Sequence, residues 1–173
     1  MPPYLRSVMR RYLRPTQVYE SIHDIDFNHL YRDLGLRHLF FDVDNTLIPY
    51  SQTTLSVQTL NLFRASRPIG FSTIGLISNN SNYTRIQTVS QQLNCPAAVF
   101  ACKPFVFTMR RLLDVHQASP HESAIIGDQL LTDIALGNYL NMHTIFVDPI
   151  EPDGVSAFKA AQYRWQQRYL SRL

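Results

Sequence analysis

Acidic residues are missing from both ends of this 173-residue chain: none precedes Glu20 and none follows Asp153. Cysteine is nearly absent as well. Cys95 and Cys102 are the only two, too few for a disulfide framework and without metal-ligand spacing to histidine. A reducing, cytoplasmic setting follows as the expectation. No apolar run approaches the roughly 18 residues of a membrane span. The N-terminus also lacks the unbroken apolar core of a secretory signal, because Arg6, Arg10, Arg11 and Arg14 interrupt it. There is no internal repeat and no low-complexity tract. The basic ends hint at an anionic partner, a membrane surface or a nucleic acid, but neither a recognition-helix pattern nor zinc-finger spacing is present, so the nucleic-acid reading is the weak one.

What is present suits an ordinary globular protein. Apolar residues make up 45% of the chain, and its length predicts one domain over 1–173 with a real core. The net charge is only +3, yet the basic residues are concentrated at the ends. Residues 4–13 place Tyr4, Leu5, Val8, Met9, Tyr12 and Leu13 on one helical face, with Pro2 and Pro3 able to start the helix. Residues 156–172 repeat the pattern through Phe158, Ala161, Trp165, Tyr169 and Leu173, beside Arg164, Arg168 and Arg172. Two basic amphipathic helices of this kind suit peripheral contact with an anionic membrane, or they pack on the core with their arginines solvated.

Between the ends, apolar runs alternate with helical periodicity. The runs ending at Phe41, Ile77, Phe100, Ile126 and Val147 predict five strands. Helices are expected near 27–34, 56–65, 83–93, 105–116 and 132–138, with Asp26 as an N-cap, Gly35 as a stop, and a loop over Pro149–Gly154 before the last helix. This alternation predicts an α/β three-layer sandwich on a mainly parallel sheet. Right-handed crossovers then bring the C-terminal strand ends to one rim. Phe105, Phe107 and Met109 read as core, Cys102 as a buried thiol, and the six histidines as surface or core.

The rim is where the chemistry gathers. Asp42 and Asp44 follow the first strand, Ser78 and Asn79 the second, Lys103 the third, and Asp128 and Asp133 the fourth. Two carboxylates as close as Asp42 and Asp44 repel unless a cation or a proton lies between them, which suits a divalent metal with hard oxygen ligands. Taken singly, each feature has another reading. The aspartates could satisfy local turns, Ser78 and the asparagines could cap a helix, and Asp128 and Asp133 could favour a helix N-terminus. Lys103 is one of only two lysines, the other being Lys159, and a compact ammonium is a good point charge for phosphate.

Taken together, these residues resemble the four motifs of the haloacid dehalogenase (HAD) superfamily. They are Asp42-Val43-Asp44-Asn45-Thr46, Ser78, Lys103 and Gly127-Asp128 through Asp133. The segments Tyr19-Glu20-Ser21-Ile22, Leu76-Ile77-Ser78-Asn79-Asn80 and Val147-Asp148-Pro149-Ile150 are similar to the YqeG-like group of subclass IIIA, related to phosphatidylglycerophosphate phosphatases. The resemblance implies a Rossmann-like HAD core and phosphomonoester hydrolysis through an aspartyl-phosphate. It implies Asp42 as nucleophile, Asp44 as general acid and base, and Thr46 as the residue that positions Asp44. Ser78, the Asn79 backbone and Lys103 would bind phosphate. Mg²⁺ would be held by Asp42, the Asp44 carbonyl, Asp128 and Asp133.

Only 36 positions separate Asp42 from Ser78, and 25 separate Ser78 from Lys103. Neither interval holds a folded cap, so the site is expected to lie open. An open site fits a phosphate carried by something large, above all a lipid headgroup beneath the inner face of a membrane. A soluble or protein-borne phosphate, and a scaffold protein with a vestigial site, are the other readings the residues allow.

Overall fold

The computed structural model describes residues 3–152 and 156–173. Pro2 and the Asp153–Gly154 end of the expected Pro149–Gly154 loop lie outside the described residues. Six strands form one sheet: β1 (Gln17–Tyr19), β2 (His38–Phe41), β3 (Thr73–Ile77), β4 (Ala97–Ala98), β5 (Ser123–Gly127) and β6 (His143–Val147). Their spatial order is β1-β6-β5-β2-β3-β4, and every pairing is parallel. The chain starts its main sheet at the centre with β2, builds outward to β4, and then returns to the other side of β2 with β5. Strand order therefore reverses at β2, the position where open parallel sheets place their ligand crevice.

Five strands were expected, and β1 is the addition. It pairs with β6 alone, from Gln17 opposite Ile145 to Tyr19 opposite Val147. Three residues carry too little alternation to reveal a strand locally, so this edge strand exists through its partner. β4 is shorter than its apolar run because Phe100 and Cys102 both take positive φ, which ends extended pairing.

Among the described residues seven α-helices accompany the sheet: α1 (Pro3–Leu13), α2 (Phe27–Arg32), α3 (Val57–Ser66), α4 (Tyr83–Leu93), α5 (Phe107–Val115), α6 (Ala135–Tyr139) and α7 (Ala157–Leu170). Side chains of β2 alternate between the two layers. Leu39 and Phe41 enter a core with Phe27 and Leu30 of α2, Phe63 of α3 and Ile86 and Val89 of α4. Phe40 enters the opposite core with Met109 and Leu113 of α5 and Leu136 of α6. The architecture is the expected three-layer α/β sandwich. Asp26 caps α2 by accepting from the His29 N–H at 3.1 Å, a type of contact worth about 1 kcal/mol. Gly35 follows that helix at φ +70, a left-handed turn suited to glycine.

Two core expectations are corrected. Helix α5 begins at Phe107, and Met109 and Leu113 set its buried stripe. Phe107 is two residues from Met109 and so points to the opposite side, 81% exposed, while Phe105 in the preceding turn is 68% exposed. Cys102, expected as a buried thiol, is exposed, whereas Cys95 is buried. On α7 the fully buried residues are Tyr163 and Gln166; of the predicted apolar stripe, Trp165 and Tyr169 are half-buried against Leu130, Ile134 and Phe146, while Phe158 is 80% exposed. No described helix is long and apolar enough to cross a membrane.

Candidate active site

The register of the central strands builds the site. Phe41 lies opposite both Leu76 of β3 and Ile126 of β5. Asp42, one residue on, donates its backbone N–H to the Ile126 carbonyl at 2.8 Å. Ser78 and Asp128 leave their strands at matching depth, two residues beyond Leu76 and Ile126. Apolar strands end here in buried polar groups, and each of those groups needs a partner.

Lys103 sits at the centre. Its ammonium donates to Asp42 Oδ1 at 2.5 Å and to the Ile77 carbonyl at 3.0 Å. It also stands 2.6 Å from Asp133 Oδ1, an ion pair without the direction of a hydrogen bond. The Asn79 side chain fixes the lysine's backbone, accepting from its N–H at 2.6 Å and donating to its carbonyl at 2.9 Å. Asn79 was expected to act through its own N–H, so this amide clamp is a role that local sequence did not disclose. Burial disfavours the ammonium, but Asp133 and Asp42 outweigh it and hold the Lys103 pKa above the ordinary lysine value.

Thr46 was expected to position Asp44, and its contacts lie elsewhere. Its hydroxyl is 3.3 Å from Asp42 Oδ2 and 3.3 Å from Asp128 Oδ1, bridging those two carboxylates. Asp44 is held instead by Arg85 of α4, whose Nε donates to Oδ1 at 3.1 Å. Asn80 and Ser78 donate to Asp44 Oδ2 at 2.9 and 3.3 Å. Arg85 is itself buried and is anchored by donating to the Pro49 carbonyl at 2.8 Å. Neither Ser78 nor Asn79 caps the following helix, because Asn82 does so.

Gly127 explains how Asp133 comes so close. A Cβ at that position would lie 2.4 Å from the Asp133 Cγ, so only glycine admits the carboxylate. A π-type turn over Leu130–Ile134 then carries Asp133 back towards β5, and the Gln129 N–H donates to its Oδ2 at 3.1 Å. Asp128 is gripped from the far end of the chain. Tyr163 of α7 donates to its Oδ2 at 2.7 Å, and Gln166 donates to its backbone carbonyl at 3.0 Å. Asn45, at φ +65, donates to the Tyr163 hydroxyl at 3.1 Å and so ties the first loop to α7.

The buried charges do not balance. Asp42, Asp44, Asp128 and Asp133 face only Lys103 and Arg85 among the buried ions, a formal excess of two negative charges. Asp42, Asp128 and Asp133 each offer an oxygen within 4.8 Å of the others. Burial, reinforced by Asp133 and Asp44 against the opposing Lys103, pushes the Asp42 pKa up to about 7. Burial followed by Asp42 and Asp133 raises that of Asp128. Three crowded, buried carboxylates with two surplus charges are the donor set a divalent cation needs, and Asp133 Oδ1 has no directed hydrogen bond to give up. Asp44 turns its carboxylate away from this cluster towards Arg85. A cavity of about 340 Å³ opens over the group, reaching Asp42, Ser78, Lys103 and two residues not foreseen in the site, Tyr50 and Lys159.

Comparison with known proteins agrees with this geometry. A family profile described as HAD-hydrolase-like matches residues 100–149, the stretch that supplies Lys103, Asp128 and Asp133. Probable phosphatase YqeG of Bacillus subtilis is 27% identical over 143 residues, covering 83% of this chain and 81% of that protein. The chain is thus similar to YqeG, a probable phosphatase, over most of its length. A solved structure of an uncharacterized protein from Listeria monocytogenes shares the fold, with a TM-score of 0.53 and 17% identity over 64% of this chain and 78% of that one. In this chain the interval from Asp42 to Ser78 contains α3 and β3, and that from Ser78 to Lys103 contains α4 and β4. Neither carries an inserted cap.

Proposed function

We propose that this phosphatase is Mg²⁺-dependent, works through an aspartyl-phosphate on Asp42, and hydrolyses the phosphomonoester of phosphatidylglycerophosphate. The observation that carries the catalytic part is Asp42 itself. It stands at the switch-point strand end, paired to Lys103 at 2.5 Å and within ligand reach of Asp128 and Asp133.

In this reading a carboxylate oxygen of Asp42 attacks phosphorus and the bond from phosphorus to the leaving oxygen breaks. Asp44 delivers the proton that the leaving oxygen takes up. Water then attacks the aspartyl-phosphate, Asp44 takes a proton from it, and inorganic phosphate departs. Asp42, the Asp44 carbonyl, Asp128 and Asp133 would hold Mg²⁺, which supplies charge neutralisation for the phosphoryl oxygens. Ser78, the Asn79 N–H and Lys103 bind those oxygens, with Lys103 exchanging part of its carboxylate pairing for substrate. Thr46 keeps Asp42 and Asp128 in register, and Arg85 is the positioning residue for Asp44.

Support for a lipid substrate comes from the surroundings of the site. The loop that supplies Lys103 also exposes Phe105, Phe107 and Phe100, the last at 63%, and Phe158 is exposed beside Lys159. Exposed phenylalanines around a rim suit an acyl-chain interface, where they leave water. Met9 and Arg10 of α1 meet Trp165, Arg168 and Arg172 around a groove of about 630 Å³, a basic and aromatic surface suited to anionic headgroups.

Hydrolysis of an aryl phosphate with and without Mg²⁺ tests the catalytic claim, and loss of turnover on chelation is expected. Phosphatidylglycerophosphate in vesicles, set against a panel of soluble phosphates and phosphopeptides, tests the substrate. The lipid is expected to give the highest kcat/KM. A clear preference for a soluble or peptide phosphate would replace the lipid reading.

A further inference from the structure

Lys159 lines the same cavity as Lys103, though it comes from the opposite end of the chain. The two ammonium groups differ in what they already hold. Lys103 is committed on the cavity floor to Asp42, Asp133 and the Ile77 carbonyl. Lys159, by contrast, has no carboxylate within 4.0 Å among the described residues. It donates to the Tyr50 hydroxyl and stands 3.8 Å from the centre of that ring. A phenol and a ring face hold a cation in place without neutralising it. Burial, with Asp128 next, keeps Tyr50 above the ordinary tyrosine range, so the phenol is neutral.

The position of Lys159 is set by the same helix that grips Asp128. Lys159 lies four residues before Tyr163, on one face of α7, and Ser156 caps the helix start by accepting the Lys159 N–H at 3.4 Å. Ordering a long lysine against a ring at the edge of the catalytic cavity costs side-chain entropy. That cost is repaid when a ligand anion arrives. The cavity, about 340 Å³, also exceeds the needs of a single phosphate group.

We propose that Lys159 and Tyr50 form a second anion subsite that reads a further negative group on the substrate, a phosphodiester or a carboxylate, a short spacer away from the phosphate being cleaved. This inference rests on the phosphatase reading and makes the enzyme selective for phosphomonoesters with two separate anionic groups. Lys159 acts as a specificity residue with no part in bond breaking.

The test compares kcat/KM for p-nitrophenyl phosphate, which has one anionic group, with phosphoglycolate and short-chain phosphatidylglycerophosphate, which have two. Wild type, Lys159→Gln, Lys159→Arg and Tyr50→Phe are measured with Mg²⁺, and circular dichroism checks that each is folded. The two-anion preference is expected to fall at least about tenfold in Lys159→Gln and to recover in Lys159→Arg, as for a lost charge-assisted contact. Selective loss with phosphoglycolate marks a carboxylate reader, and selective loss with the lipid marks a phosphodiester reader. An equal fall for all three substrates, or none, overturns the subsite. Calorimetric binding of phosphonoacetate against methylphosphonate reads the subsite without turnover, so a chain that hydrolyses nothing yet binds phosphonoacetate through Lys159 overturns the phosphatase reading alone. Equal binding of phosphonoacetate by wild type and Lys159→Gln overturns the subsite.

Discussion

Tyr163 of the last helix donates a 2.7 Å hydrogen bond to Asp128 Oδ2, joining the end of the chain to the acidic cluster 35 residues earlier. The second oxygen of that carboxylate faces the Thr46 hydroxyl at 3.3 Å. Helix α7 thus helps to hold the acidic cluster in place. Its inner face packs Trp165, Tyr169 and Leu170 against Leu130, Ile134 and Phe146, and also satisfies buried polar groups, with Tyr163 on the Asp128 carboxylate and Gln166 on the Asp128 and Leu130 backbone.

Removing that phenol is expected to loosen the metal site. Tyr163→Phe should weaken Mg²⁺ affinity by about 10- to 100-fold, the usual range for groups that orient a ligand. Activity titrated against Mg²⁺, together with calorimetry, provides the measurement. Unchanged affinity would remove Tyr163 from the site.

The raised Asp42 pKa makes a prediction about stability. Folding lifts it from the ordinary aspartate value of 3.8 to about 7, so across that window the native state binds more protons than the unfolded chain. The contribution is fully present below pH 4 and is lost as pH rises through about 7. Metal-free protein should therefore lose melting temperature over that interval. Asp42→Asn should flatten the loss and melt higher at pH 8. Mg²⁺ bound at the proposed site would release protons from the same group, so its affinity should fall as pH drops below 7. Thermal melts with a chelator, from pH 5 to 8, check the sign.

Gly127→Ala is a small change at an intolerant place. The added Cβ would meet the Asp133 Cγ at 2.4 Å and force that carboxylate from Lys103. Activity should fall by at least about tenfold, with a lower melting temperature. A crystal structure of the variant with Asp133 unmoved and activity retained would contradict this account.

Arg85 offers a cleaner separation of binding from chemistry. Arg85→Met leaves the Asp44 carboxylate without its 3.1 Å guanidinium partner while leaving Asp42, Lys103 and Asp128 untouched. In the proposed mechanism Asp44 handles protons and not phosphate, so kcat should fall by about 10- to 100-fold with KM changed much less. The loss should shrink for substrates with good leaving groups, which need little protonation. A leaving-group series measures it.

How much of this site was legible in the residues depended on where each one lies. Asp42, Ser78, Lys103 and Asp128 follow apolar strands directly, so a switch in polarity marks them, and parallel topology brings them together. Arg85, Asn80, Tyr50, Tyr163 and Lys159 sit on helices or in loops whose local pattern is ordinary. Their roles come from packing between distant segments, which periodicity does not encode. The rarity of lysine is the one signal in the sequence for Lys159, and it marks Lys103 equally. Phe105 and Phe107 misled for a different reason. Apolar character predicts burial on average, but here α5 starts two residues later than its apolar run and turns both rings outward. Strand β1 is hidden because each of its residues pairs with one in β6 that lies 128 positions further along the chain.

The covalent role of Asp42 is best tested by trapping. Enzyme quenched during turnover of a phosphomonoester with Mg²⁺, then reduced with borohydride, should yield homoserine in place of aspartate at position 42 by peptide mass spectrometry, and Asp42→Asn should give none. Steady turnover with no modified residue at position 42, or with the modification at another carboxylate, would contradict the account.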